Sequence, residues 1–166
     1  MDSSNSGESS TIVKVSQQLK ITNYSLLKGI GSGKYISSEP FSVDGNDWAI
    51  YFYPDGKNED FNAAYVSVFI VLISDTGKDV KALFELVLLD QTGNDNDMVH
   101  SQFQGTLLRE AYTMRYPGSM WGYKKFIKKI DLESSNFLKD DCIYINCTIG
   151  VVKTHMEEHA SFTILP

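Results

Sequence analysis

The sequence has no long hydrophobic run, no excess of positive charge and only two cysteines, and each absence removes a class of protein. Its longest apolar block, Val66 to Ile73, is interrupted by Ser67 and falls far short of the ~20 apolar residues a bilayer-spanning helix needs. The 166 residues carry a formal net charge of -6, whereas binding a phosphate backbone calls for a positive surface. Neither nucleic acid nor membrane is an expected partner. Cys142 and Cys147 fall in one expected strand. At ~3.3 Å per residue they would stand roughly 16 Å apart on opposite faces, beyond the ~7 Å Cα separation that a disulfide tolerates. The opening "MDSSNSGESS" lacks the charged and apolar regions of a secretory leader. Residues 1–10 are therefore expected to form a disordered polar tail. Reduced thiols without a leader give an expected location in the nucleus or cytoplasm.

What the sequence does have is alternation of period two. Val13, Val15, Leu19 and Ile21 are apolar between the polar Lys14, Ser16, Gln18 and Lys20, the pattern of a half-buried strand. A glycine-rich loop, "KGIGSGKYISS", follows. "EPFSV" and "DWAIYFY" read as short strands around a turn at Asp44 to Asn46, and "YPDGKNED" as a strong turn. "AYVSVFIVLIS" and "VKALFELVLLD" are two rich strands, with "DTGKD" as the hairpin loop between them. "MVHSQFQG" is a further strand. "CIYINCTIGVVK" closes the core, with Ile143, Ile145, Cys147, Ile149 and Val151 on one face. The one helical hint is a short turn in "ESSNFLKDD", capped by Ser134 or Ser135. The fold class predicted is all-β, an antiparallel sandwich of about eight strands with at most one short helical turn.

Several short motifs imitate catalytic or metal chemistry without its context. "HMEEH", His155 to His159, has the spacing of a zinc peptidase but leaves a strand and shows no helical period. "GIGSGK" resembles a phosphate loop, yet Lys28 stands where the first glycine belongs and Tyr35 where a Ser or Thr belongs. Asp90, Asp95 and Asp97, with Asp44, Asp47, Asp55 and Asp60, supply the better challenger, loop carboxylates gathered around calcium. Without a G-x-S-x-G elbow or partnered histidines, no enzymatic activity and no cofactor are expected.

The aromatic residues carry more. "RYPGSMWGYKKFIKK", Arg115 to Lys129, reads as an irregular surface loop holding Trp121 and Tyr123 either side of Gly122. By parity Tyr65, Ser67 and Phe69 share one face of their strand, and Ala82, Phe84 and Leu86 share one of theirs. Should those faces coincide, Tyr65, Phe69 and Phe84 form an aromatic patch beside the Trp121 loop. Such a row is either sandwich core or an exposed binding surface, and the pattern leaves both open.

"GSMWGYKKF", "YFYPDGKN", "ALFELVLLDQTG" and "FLKDDCIYINCTIGVV" together resemble the MATH (meprin and TRAF homology) domain, above all that of plant BTB/POZ-MATH proteins. The resemblance places the domain at 11–154 and an exit segment at 155–166. It implies an eight-stranded antiparallel sandwich that binds short extended peptides in a shallow groove. It further implies an adaptor that selects proteins, transcription factors among them, for ubiquitination on a cullin scaffold. The cullin contact would lie in a BTB domain that this sequence lacks. A TRAF-type self-associating scaffold is the alternative within the family, although no heptads precede Val13. Carried over by matching position, the groove residues are Tyr65, Phe69 and Phe84 on strands, with Trp121, Gly122, Tyr123 and Lys124 as the other wall. Tyr112 is added for an upstream tyrosine, since Thr113 occupies the matching spacing. Ser119 and Met120 replace a lysine–aspartate pair of an animal member, so the preference for serine-rich peptides that the family implies is weakened.

Overall fold

The computed structural model describes residues 8–156 apart from Thr106. Two antiparallel sheets pack face to face. One has the order β1 (Glu8–Ile21), β10 (Ile143–Met156), β6 (Val80–Leu88), β7 (Met98–Ser101), with β8 (Tyr112–Met114) also on β6. The other runs β2 (Ile36–Ser37), β4 (Asn46–Tyr53), β5 (Tyr65–Leu72), β9 (Met120–Lys128), with β3 (Phe41–Val43) also on β4. The predicted all-β sandwich is thus the observed one.

Alternation decides which side of each strand is buried. Val13, Val15, Leu19 and Ile21 pair in register with Val151, Ile149, Ile145 and Ile143, and this whole stripe faces the core. The polar alternates close the outer face, where Ser16 and Thr148 share a hydroxyl hydrogen bond of 2.7 Å and Gln18 Nε2 donates to Asn146 Oδ1 at 2.9 Å. On β5 the even positions Val66, Val68, Ile70 and Leu72 enter the core beside Trp48, Ile50 and Phe52 of β4. Ala82, Phe84, Leu86 and Leu88 of β6 meet them from the opposite sheet.

Five expectations are corrected. Strands β5 and β6 are not a hairpin but lie in different sheets. After β5 the chain is held by β4, with Ile73 N donating to Asp47 O at 2.8 Å and Asp47 N to Ser74 Oγ at 2.7 Å, and it crosses from there. The polar start is already strand from Glu8, paired with the end of β10, while residues 1–7 and 157–166 lie outside the described residues. The helical hint sits one turn early: α2 is Lys129–Glu133, and Ser134 and Ser135 close it, with Ser135 Oγ donating to Leu132 O at 2.7 Å. A second short helix, α1 (Tyr24–Leu27), had no periodic signal and is fixed by burial of Tyr24, whose hydroxyl donates to Glu133 at 2.9 Å. Cys142 precedes β10, and Cys147 is buried in the core, where burial pushes its thiol pKa up, with Glu85 adding to the shift.

The "YPDG" turn places a carboxylate inside. Asp55 accepts from Gly29 N at 2.9 Å, Gly31 N at 2.7 Å and Lys129 Nζ at 2.6 Å, tying the glycine-rich loop to the start of α2. Its side chain is 3% exposed. Burial alone would raise its pKa, but Lys129 and the two amides outweigh that and hold it below the usual carboxylate value. Asp55→Asn is expected to destabilise the domain by about 3 kcal/mol at neutral pH, because Lys129 is left without its anion. A lowered folded pKa means that the unfolded chain binds more protons, so this contribution is present above about pH 4 and disappears as pH falls through the folded value. Urea unfolding of both proteins should show a difference constant near neutrality and shrinking below about pH 4.

Candidate functional site

Most of the segment expected as an irregular loop is the edge strand β9. The correction has a local cause: Ser119 Oγ accepts from Arg115 N at 3.2 Å and Tyr116 N at 3.1 Å, and Gly118, at φ 91°, donates to Leu72 O at 2.7 Å. A tight turn is thereby closed before the strand, and pairing with β5 begins at Met120, opposite Val71. Trp121 is opposite Ile70, Gly122 opposite Phe69 and Tyr123 opposite Val68. Trp121 and Tyr123 therefore share the inner face of the sheet, and Met120 and Gly122 the outer. Among the described residues no strand pairs with the other edge of β9. Backbone polar groups of successive residues alternate in direction along such a ladder. Leu72 N donates to Ser119 O at 2.9 Å, which points the groups of Trp121 and Tyr123 at β5 and those of Met120 and Gly122 at the free edge.

An inward-facing residue on an edge strand sits at the rim, where the sheets part. There the Trp121 ring stacks on Tyr112 of the opposite sheet, with centroids 4.1 Å apart and planes 16° apart. Phe84 lies beneath, 6.0 Å from Tyr112 and 5.8 Å from Tyr123. Trp121 is 41% exposed and Phe84 1%, so the tryptophan is a surface and the phenylalanine its floor. His100 packs on Tyr123 at 4.6 Å and Phe126 at 5.1 Å. Burial lowers its pKa, partly offset by a hydrogen bond to the Phe126 main chain, and its Nε2 is buried without a partner among the described residues. Burial, with Tyr112 adding, raises the Tyr123 pKa.

The outer side of β9 is different. Phe69 is buried and its ring meets Tyr53 edge-on at 5.9 Å, with Lys57 Nζ 5.6 Å above it. Tyr65 packs on Phe61 at 5.7 Å under Lys125. Lys124 pairs with Asp60 at 3.0 Å, and a bulge lets Ser67 Oγ donate to Lys124 O at 2.7 Å.

Of the eight residues nominated from sequence, Phe84, Tyr112, Trp121 and Tyr123 are brought together at the rim. Phe69 and Gly122 meet on the outer side of the same strand, with Tyr65 and Lys124 farther along that face. The conditional patch of Tyr65, Phe69 and Phe84 does not form, because Phe84 faces inward from the other sheet. Tyr112, not Thr113, carries the ring contact with Trp121. His100 and the tyrosines of "YFY" were not nominated. The period-two alternation of Tyr51 and Tyr53 beside "PDG" was the available signal for the latter.

The rival chemistries find little support in the geometry. Among the described residues no three His, Cys, Asp or Glu groups gather as ligands. Asp90 accepts from Thr92 and Asn96 of its own loop, Asp44 pairs with Lys153 at 3.1 Å, and Asp55 holds Lys129. Two amides of the phosphate-loop lookalike, Gly29 and Gly31, are taken by that same Asp55. His155 continues β10 opposite Ser9 rather than starting a helix, and Glu157 onward lies outside the described residues.

Gly122 explains the close fit. A Cβ there would stand 2.2 Å from Val68 O and 2.6 Å from Phe69 Cα, so the strand approaches β5 as only glycine can. Gly122→Ala is expected to cost about 2 kcal/mol of stability, as overpacking does, in denaturant unfolding. Phe69→Ala on the same chain should not rescue it, because the nearest clash is with main chain.

Comparison with known proteins agrees with this architecture. The family profile for the MATH domain matches residues 16–149. The chain is 58% identical over 142 residues to BTB/POZ and MATH domain-containing protein 4 of Arabidopsis thaliana, covering 86% of this chain and 30% of that protein. It is 52% identical over 153 residues to the protein numbered 3 in the same series and organism, covering 92% of this chain and 37% of that one. It thus spans about a third of the length of these relatives. With most of its length matched by the profile and by relatives of this identity, the chain belongs to the MATH domain family of protein-interaction domains.

Proposed function

We propose that this domain binds short, extended segments of target proteins along the free edge of β9, and that it is the substrate-selecting part of a cullin-RING ubiquitin-ligase adaptor. The observation that carries the reading is an unpaired strand edge, led by the backbone of Gly122, running beside the exposed Trp121–Tyr112 stack. An added peptide strand gains main-chain hydrogen bonds from such an edge, while rings beside it read alternate side chains. A rigid stacked pair offers contact area at low conformational cost.

The relatives' names join MATH to BTB/POZ. The scaffold contact is accordingly assigned to a BTB domain and target selection to the domain described here. Transcription factors are the proposed targets, in the nucleus or cytoplasm. Ser119 and Met120 bear on the motif. The Ser119 hydroxyl is occupied by two main-chain amides, and Met120 Sδ lies 3.9 Å from the Tyr53 hydroxyl. Neither offers an anion to peptide hydroxyls, so apolar anchors should dominate selection over serines. With so few residues covered, affinity is expected in the micromolar range, suited to turnover.

The test is a peptide array tiled from transcription factors, probed with wild type and Trp121→Ala. A shared motif is expected whose binding falls by at least ~2 kcal/mol in the variant, with the unfolding midpoint nearly unchanged because Trp121 is part exposed. Phe84→Ala, by contrast, should lose about 3–5 kcal/mol of stability. Peptide binding that is insensitive to Trp121→Ala would sink the edge site.

A further inference from the structure

A second aromatic feature lies on the outer face of the β9 sheet. In register, Gly122 of β9, Phe69 of β5 and Tyr51 of β4 form one cross-strand row. Tyr35 extends it, stacked on Tyr51 with centroids 3.9 Å and planes 10° apart, and Tyr53 flanks both, 5.5 Å from Tyr35 and 5.9 Å from Phe69. Tyr35 is 46% exposed. Lys57 Nζ stands over this row, 5.6 Å from Phe69 and 5.8 Å from Tyr53. Its neighbours are matched, Lys124 by Asp60 and Lys129 by Asp55. Lys57 has no carboxylate partner among the described residues, on a chain of net charge -6.

Building on the reading that a peptide adds to β9, we infer that its flanking residues turn across Gly122 onto this face, and that the Lys57–Tyr35–Tyr51 surface selects an acidic residue followed by a ring or apolar side chain. The missing side chain at Gly122 leaves the crossing low. Strands lie ~4.8 Å apart, so the row from β9 to β4 is roughly 10 Å long, the reach of about three extended residues. Lys57 sits over the first step, which puts the acid one or two residues past Gly122, and the Tyr35–Tyr51 stack takes the next side chain. Charge complementarity commits the surface to an acidic peptide: an uncompensated ammonium above aromatic rings attracts a carboxylate, and the ring faces supply apolar contact.

The probe is a phage-displayed library of random dodecapeptides panned on the full chain, with selected peptides measured by fluorescence polarisation against wild type, Lys57→Glu, Tyr35→Ser and Trp121→Ala. An acidic residue is expected at a fixed offset from the Trp121-dependent core. Lys57→Glu should weaken those peptides about fivefold, the size of one exposed ion pair, and leave copies with alanine at that offset nearly unchanged. Tyr35→Ser should weaken them through the next position. No acidic enrichment, or equal loss for the alanine copies, would overturn the extension while the Trp121 response still supports the edge site. Peptides that respond to Lys57→Glu and not to Trp121→Ala would overturn both the edge site and the continuity inferred from it.

Discussion

The close approach of β9 to β5 at Gly122 governs how this domain presents its surface. Val68 O and Phe69 Cα occupy the space a side chain would need, and the two strands can pair in this register only because none is there. The register in turn decides the rest of the edge. It turns Trp121 and Tyr123 inward to the rim and leaves the main chain of Gly122 at the open edge. It also puts the Phe69 ring beside that glycine on the outer face. One missing methyl group thus sets a stacked aromatic wall, a bare backbone edge and a crossing point between two faces of the sandwich.

Stability and the proposed recognition draw on different parts of the sandwich. The apolar stripe of β5 and the Asp55–Lys129 pair hold the core and the glycine-rich loop, and both are out of reach of a ligand. The Trp121–Tyr112 stack is reachable and rests on that scaffold through Phe84, while Gly122 lies against Phe69 on the outer face. Removing exposed rings is therefore a different perturbation from removing the floor under them. The lysines divide similarly: Lys124 and Lys129 are matched by carboxylates, whereas Lys57 stands over rings with no carboxylate partner among the described residues.

Most of the fold was legible where one face of a strand is buried, because alternation there has a single solution. β1 and β10 match their predicted faces residue by residue. The β5–β6 connection was not legible. Both strands are apolar on both faces along much of their length, and a short polar linker suits a hairpin as well as a crossover between sheets. What decides is the capture of the linker by Asp47, a tertiary contact with no local signal. The site was half legible for the same reason. The motif around Trp121 could be read, but glycine and proline beside it suggested a loop, and only the Ser119-capped turn shows that the strand begins at Met120. Phe84 and Tyr65 share a parity argument that holds within a strand and says nothing about which sheet a strand joins.

A peptide paired with the free edge of β9, as proposed, would cover its outward amides. The direct measurement is amide hydrogen exchange by NMR on the full chain, with and without a saturating peptide chosen from the array. The Gly122 and Met120 amides are expected to gain protection on binding, while those of Trp121 and Tyr123, already directed at β5, change little. Saturable binding with Gly122 still exchanging at its free rate would contradict that pairing, and the peptide would then have to be sought on another surface of the sandwich.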